Sequence, residues 1–81
     1  MEGGLIIAKI IDDVWFRYEP EFGNLMEVYI TDIHGNDYIL AEINLTEAEM
    51  QKSYEDLYNL CLEIAHDLGY MLIGEYEYIS S

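Results

Sequence analysis

The sequence predicts one α+β domain over residues 1–81, an antiparallel sheet of four or five strands with one long helix packed on one face. Three observations carry this prediction: two alternating segments around a glycine-containing turn, one apolar stripe at helical spacing, and an apolar content of 52%, enough for one modest core in 81 residues. The predicted order of elements is β-β-β-β-α-β.

The first 18 residues predict two short strands. Residues 5–11 are rich in isoleucine and residues 14–18 are mostly aromatic or β-branched, both typical of strands, and Asp12 and Asp13 form a plausible turn between them. A helix over residues 4–12 is the alternative, because the same isoleucines fit one helical face. The segment around Pro20 is predicted to be a loop.

Residues 25–43 predict a β-hairpin. Apolar and polar residues alternate over 25–32 and again over 38–43, as on strands with one buried face, and the residues between them, His34 to Asp37, are typical of a turn. The alternation predicts these residues on the buried face: Met26, Val28, Ile30, Ile39, Ala41 and Ile43. It predicts these on the opposite face: Glu27, Tyr29, Thr31, Tyr38, Leu40 and Glu42.

The helix prediction covers Thr46 to Leu68. Thr46 and Glu49 have the spacing of a capping box, and Gly69 stands where a C-terminal cap belongs. Apolar residues at steps of three and four between these ends predict one buried stripe: Met50, Tyr54, Leu57, Cys61, Ile64 and Leu68. Residues 70–79 predict a last strand, in which Glu75 and Glu77 alternate with tyrosines.

The balance of charge is the strongest functional signal. Seventeen acidic residues stand against three basic ones, so at least 17 − 3 = 14 acids have no basic partner and the net charge is -14. Such a surface repels itself, which disfavours the compact state. It also repels bare nucleic acid and anionic membranes, and leaves basic protein surfaces or cations as partners.

The acids are predicted to fall on two faces. Carboxylates along the helix recur at seven-residue spacing, about 10 Å apart from a rise of about 1.5 Å per residue. The exposed sheet face adds carboxylates and tyrosines, which supply large rigid contact areas at interfaces. An ordinary solvated helix face and half-exposed strand tyrosines are the alternatives. The predicted partner-binding residues are Glu27, Tyr29, Asp32, Asp37, Tyr38, Glu42, Glu49, Asp56, Glu63, Asp67, Glu75 and Glu77.

Catalytic, metal and cofactor sites are not expected. The serines lack a glycine-rich elbow, and Cys61 belongs to the apolar stripe rather than to a metal-binding pair. The hairpin turn, with Asp32, His34 and Asp37, is a candidate cation loop, but ordinary turn chemistry explains the same residues. A single cysteine and no signal peptide or membrane-spanning run predict a cytoplasmic protein, in the host cell if a phage encodes it.

Small size, a 17-to-3 ratio of acids to bases, one α+β domain and a tyrosine-rich acidic surface are features that the chain shares with one class of proteins. In these features it resembles the small acidic inhibitors of host defence from phages and mobile elements, including anti-CRISPR proteins that mimic DNA. The resemblance implies an inhibitor that occupies the nucleic-acid site of an effector nuclease. The alternatives are an interaction module that binds elsewhere on its partner, and a structural subunit that forms a homodimer through a sheet edge.

Overall fold

The computed structural model describes residues 9–75 and confirms the α+β architecture. The strands lie in one sheet in the order β3-β2-β1-β4. The sheet is mixed, because β1, β2 and β3 pair antiparallel while β4 pairs parallel to β1. The parallel pair requires a crossover, and the two helices supply it. The elements are β1 (Lys9–Tyr18), a 3-10 turn (Pro20–Phe22), β2 (Leu25–Asp32), β3 (Asp37–Asn44), α1 (Glu47–Met50), α2 (Tyr54–Asp67) and β4 (Tyr70–Leu72).

β1 is one strand where two strands and a turn were predicted. Its register against β2 shifts between Ile11 and Asp13, so Asp12 is the extra residue of a β-bulge. A bulge leaves one residue unpaired and bends the strand without ending it, which is how two adjacent aspartates stay inside a continuous strand. The alternative helix over residues 4–12 is wrong from Lys9 onward, and residues 4–8 lie outside the described part.

The predicted hairpin of β2 and β3 is confirmed, but a shift in register within β3 changes which of its first residues lie on each face of the sheet. Val28 pairs with Ala41 and Tyr29 pairs with Ile39, so Leu40 is an extra residue in β3. Paired residues share a face, and the side-chain period of a strand is two, so one extra residue exchanges the faces of everything before it. The predicted positions of Tyr38 and Ile39 are therefore wrong: they are interchanged.

The single long helix is also wrong, since three residues separate α1 from α2. The predicted capping box is confirmed at the start of α1, where Thr46 and Glu49 exchange hydrogen bonds. Ser53 then has an extended backbone, and its hydroxyl accepts the Asp56 N–H at 3.2 Å. Serine favours such a cap because its side chain competes for backbone hydrogen bonds within a helix. Gly69, with φ of 92°, follows the end of α2 as predicted.

The last predicted strand is much shorter than expected. β4 covers Tyr70–Leu72, and the next residues turn into a helical conformation, so Glu75 does not alternate on a strand. Residues 76–79 of that predicted strand lie outside the described part.

The core lies between α2 and one face of the sheet. Among residues 9–75 no polar or charged side chain is buried. At about 25 cal/mol per Å² of buried apolar area, such a core is the main stabilising contribution in a small domain. The buried residues are Ile11, Val14, Met26, Val28, Ile30, Leu45, Leu57, Cys61 and Ala65.

Candidate protein-binding face

The sheet face opposite the core is covered by neither helix. Met50 of α1 and Leu57 of α2 pack on the core side, and alternation along the strands sends the other set of side chains away from the helices. We call this set the outer face and read it from the register of β1, β2 and β3. Its residues are Asp13, Trp15, Arg17, Glu27, Tyr29, Thr31, Asp37, Ile39 and Glu42.

An aromatic stack occupies the centre of the outer face. Trp15 and Tyr29 are cross-strand partners, and their ring centroids lie 4.3 Å apart with planes inclined by only 9°. Aromatic pairs of this kind contribute about 0.5–1.5 kcal/mol beyond the area they bury. Ile39, which is 51% exposed, continues the row on β3. The centre of the face is therefore apolar.

Each ring of the stack holds one carboxylate at the margin of the face. The Trp15 indole Nε1 donates to Thr31 Oγ1 at 3.0 Å, and this hydroxyl donates to Asp37 Oδ1 at 2.7 Å. The Tyr29 hydroxyl donates to Glu27 Oε1 at 3.3 Å. Hydrogen bonds that fix a side chain before a partner arrives lower the entropy cost of binding. Asp37 and Glu27 are thus positioned in the free protein.

Glu27 and Glu42 form a like-charged cross-strand pair next to the stack. They are directly opposite each other on β2 and β3, and Arg17 is opposite Glu27 on β1. The pKa of Arg17 is raised, mainly by the neighbouring Tyr29 hydroxyl and then by the charge of Glu27. One guanidinium therefore faces two carboxylates, and Glu42 is the one farther from it.

A shallow depression of about 200 Å³ adjoins this row, between Arg17, Glu19, Phe22, Leu25 and Glu27. Phe22 and Leu25 are 81% and 45% exposed. Arg17 also reaches Glu19, with 3.7 Å between Nη2 and Oε1. Exposed apolar side chains bordered by charge are typical of protein interaction sites, so the depression extends the outer face.

The solvent side of α2 forms a second acidic surface. Asp56, Glu63 and Asp67 follow one another at steps of seven and four on exposed positions, which places them on one side of the helix. This side points away from the sheet, because the opposite side of α2 packs on the core. The predicted acids therefore form two separate surfaces on opposite sides of the molecule. Glu49 is not in line with Asp56 and Glu63, since it belongs to α1.

Three predicted binding residues instead hold the local fold. The pKa of Asp32 is lowered because its carboxylate accepts the backbone N–H groups of Asn36 and His34 in the hairpin turn. The pKa of Glu49 is lowered by the backbone N–H of Thr46. Turn chemistry thus accounts for the loop that was a candidate cation site.

Glu75 is the third of these residues. Its Oε1 lies 3.0 Å from His66 Nε2 and also accepts the Leu72 N–H at 3.2 Å. These contacts, with His66 first, lower the pKa of Glu75. The pair joins the end of α2 to the segment after β4. Glu77 lies outside the described residues.

The remaining predicted binding residues lie on β2 and β3, and all but one of them are on the outer face. Tyr29, Glu27 and Glu42 lie on the outer face as expected. Asp37, which was expected in the hairpin turn, begins β3 and lies on the outer face as well. Tyr38 pairs with Ile30, a core residue, and is exposed at the edge of the sheet instead.

Trp15, Arg17 and Ile39 belong to the outer face but were missing from the prediction. Alternation within residues 14–18 already separates Trp15 and Arg17 from Val14 and Phe16. The register that brings them beside Tyr29 and Glu27 depends on the two bulges, which leave no signal in the sequence.

Two further observations concern the described part of the chain. Within residues 9–75, no three histidine, cysteine, aspartate or glutamate side chains come together as a metal site would require. Neither α1 nor α2 is long and apolar enough to cross a membrane.

Comparisons with known proteins add no relationship. The chain matches no protein-family model, and no similar protein was found among curated proteins or solved structures.

Proposed function

We propose that this protein is a binding protein, not an enzyme, and that its outer face binds a basic surface on a protein that itself binds nucleic acid. By occupying that surface it inhibits the partner, as an effector nuclease would be inhibited by a protein that mimics DNA. This role belongs in the cytoplasm where such a partner works. The observation that carries the proposal is the pair of carboxylates, Glu27 and Asp37, fixed by hydrogen bonds that start at the Trp15–Tyr29 stack.

The charge of the face suits such a partner. The outer face carries four carboxylates (Asp13, Glu27, Asp37 and Glu42) and one guanidinium, Arg17, which shares a row with Glu27 and Glu42 only. Nucleic-acid sites present lysine and arginine spaced to meet phosphates. A preformed array of carboxylates meets the same cations, and the net charge of -14 accelerates the encounter through long-range attraction.

The experiment is a capture from nuclease-treated bacterial lysate on immobilised protein, washed at about 50 mM and then about 200 mM salt. Captured proteins are identified by mass and challenged with duplex DNA or RNA. The test variant is Glu27→Lys with Glu42→Lys, and the matched control is Asp56→Lys with Glu63→Lys on the opposite surface. The proposal predicts a nucleic-acid-binding protein that nucleic acid displaces and that the outer-face variant fails to capture. Capture that survives the outer-face variant and is lost with the helix variant assigns binding to α2 instead.

A second candidate is an interaction module that binds outside any nucleic-acid site. The exposed apolar residues Ile39, Phe22 and Leu25 favour it, since contacts through them resist salt. It predicts that Phe22→Ser and Ile39→Thr weaken capture more than the charge reversals do. It also predicts that neither DNA nor RNA displaces the partner.

A further inference from the structure

Among residues 9–75, the outer face ends at an edge of the sheet that has no strand beside it. β3 is the terminal strand in the order β3-β2-β1-β4 and, with eight residues, is far longer than the opposite edge strand, the three-residue β4. An edge strand presents backbone N–H and C=O groups that can pair with another chain. Among the described elements, α2 packs on β1 and β4, at the other side of the sheet.

The hydrogen bonds at the two ends of the hairpin show which backbone groups face outward. The Leu45 N–H donates to the Asn24 carbonyl, and the Asp32 N–H donates to the Asn36 carbonyl, both at 2.8 Å. Bonded and non-bonded pairs alternate along an antiparallel ladder. Counting inward from both ends, and allowing for the bulge at Leu40, the backbone groups of Ile39 and Glu42 point away from β2.

The side chains of these same residues lie on the outer face. Along the edge the row reads Asp37, Ile39, Glu42, which is acid, apolar, acid. A strand added to the edge puts its own alternate side chains next to this row, about 5 Å away. Its best complement is therefore basic, apolar, basic at alternate positions.

From this complementarity we infer that the free edge of β3 binds an extended segment of a partner protein, with lysine or arginine on both sides of an aliphatic residue at alternate positions. The segment adds a fifth strand to the sheet. Backbone hydrogen bonds to Ile39 and Glu42 give affinity, and the charges of Asp37 and Glu42 give specificity, as in other cases of strand addition. This inference names the mode of recognition and rests on the proposed function for the identity of the partner.

A second copy of the chain is a poorer occupant of the edge. A two-fold axis near Ile39 would bring Glu42 of one copy next to Asp37 of the other. Like charges directly opposite each other destabilise a strand pair, and two chains of charge -14 repel at long range as well.

The test uses a synthetic peptide, acetyl-Thr-Lys-Thr-Val-Thr-Arg-Thr-amide, and isotope-labelled protein. Binding is followed by NMR shifts and by protection of the Ile39 and Glu42 amides from hydrogen exchange. The control peptide has the same composition with lysine, valine and arginine consecutive. We expect the alternating peptide to bind about tenfold more tightly and to protect both amides, with Glu42→Gln weakening it.

Backbone methylation of the peptide separates strand addition from simple charge attraction. Methyl groups on the lysine, valine and arginine nitrogens remove the hydrogens that face β3, and we expect binding to fall about tenfold or more. Methyl groups on the threonine nitrogens, which face solvent, leave binding unchanged. Ile39→Pro removes a donor from β3 itself, with Ile39→Val as its control.

Equal binding of both methylated peptides, or no protection of Ile39 and Glu42, overturns the inference. Protection that appears without peptide as the protein concentration rises assigns the edge to a second copy, and overturns it too. If the wild type captures a nucleic-acid-binding protein, the outer-face charge variant does not, and the peptide protects neither amide, the proposed function stands without strand addition. If the peptide binds but no nucleic-acid-binding protein is captured, the edge site stands and the proposed function fails.

Discussion

Replacing Glu42 by lysine should stabilise the free protein while it removes binding. Glu42 is directly opposite Glu27, and Arg17 is opposite Glu27 on the other side. The substitution converts a row of one cation and two anions into one anion between two cations. A surface tuned for stability alone would not keep the original arrangement.

The size of the effect follows from cross-strand pair energies. An opposite-charge pair contributes roughly 0.2–1 kcal/mol, and removing a like-charge pair adds a similar amount. The two terms together span roughly 0.4–2 kcal/mol. Because Glu42 is exposed, solvent screening keeps their sum in the lower part of that span, about 0.5–1 kcal/mol. For a domain of this size the melting temperature should rise by about 2–8 °C.

The assay is urea and thermal unfolding of the wild type, Glu42→Lys and Glu42→Gln. Glu42→Gln removes the repulsion without adding an attraction, so about half of the gain is expected. In about 1 M salt, where the Debye length is about 3 Å, the differences should largely vanish. A Glu42→Lys variant that is less stable than wild type at low salt, or a gain that persists at high salt, would refute the charge pairing described for this row.

Three further predictions concern other parts of the fold. Ser53→Ala should lower the free energy of unfolding by about 1 kcal/mol through loss of the α2 cap, and Ser53→Asp should largely restore it in urea titrations. Cys61 is fully buried and burial raises its pKa to about 11, so a thiol reagent at pH 8 should label it only as fast as the protein unfolds; rapid labelling without urea would contradict its burial. The lowered pKa of Asp32 means that its carboxylate stabilises the fold above the ordinary carboxyl pKa of about 4, and that this contribution is lost as the pH falls through the lowered value. The stability difference between wild type and Asp32→Ala should therefore be largest near neutral pH and shrink towards pH 2, and a difference that grows in acid would be evidence against the turn contacts.

The sequence predicted the features that depend on local chemistry. The hairpin turn, the Thr46 capping box and the glycine after α2 each need only a few adjacent residues, and all are confirmed. The face of β2 that carries Met26, Val28 and Ile30 was predictable because strict alternation specifies it.

The predictions that were wrong concern segments whose sequence is compatible with two different local structures. The step of four from Met50 to Tyr54 keeps the helical spacing across residues 51–53, so periodicity alone favours one helix, while the Ser53 cap favours two. Asp12 and Asp13 suit a turn as well as a bulge, and only pairing with β2 decides between them. The outer face was predicted in part, since its carboxylates are visible in the sequence but the aromatic stack that positions them is a product of register.

The extra residue Leu40 decides which side chains of β3 reach the outer face. After Leu40, Ala41 and Ile43 lie on the core face, where strict alternation from the end of the strand places them. Before Leu40, each side chain lies on the face opposite to the one that strict alternation would give it, so Ile39 instead of Tyr38 is on the outer face. Substitutions at position 40 preserve this phase, whereas a deletion there would exchange Tyr38 for Ile39 beside the stack and turn Asp37 away from Thr31. The length of this strand, and not only its composition, therefore encodes which residues a partner meets.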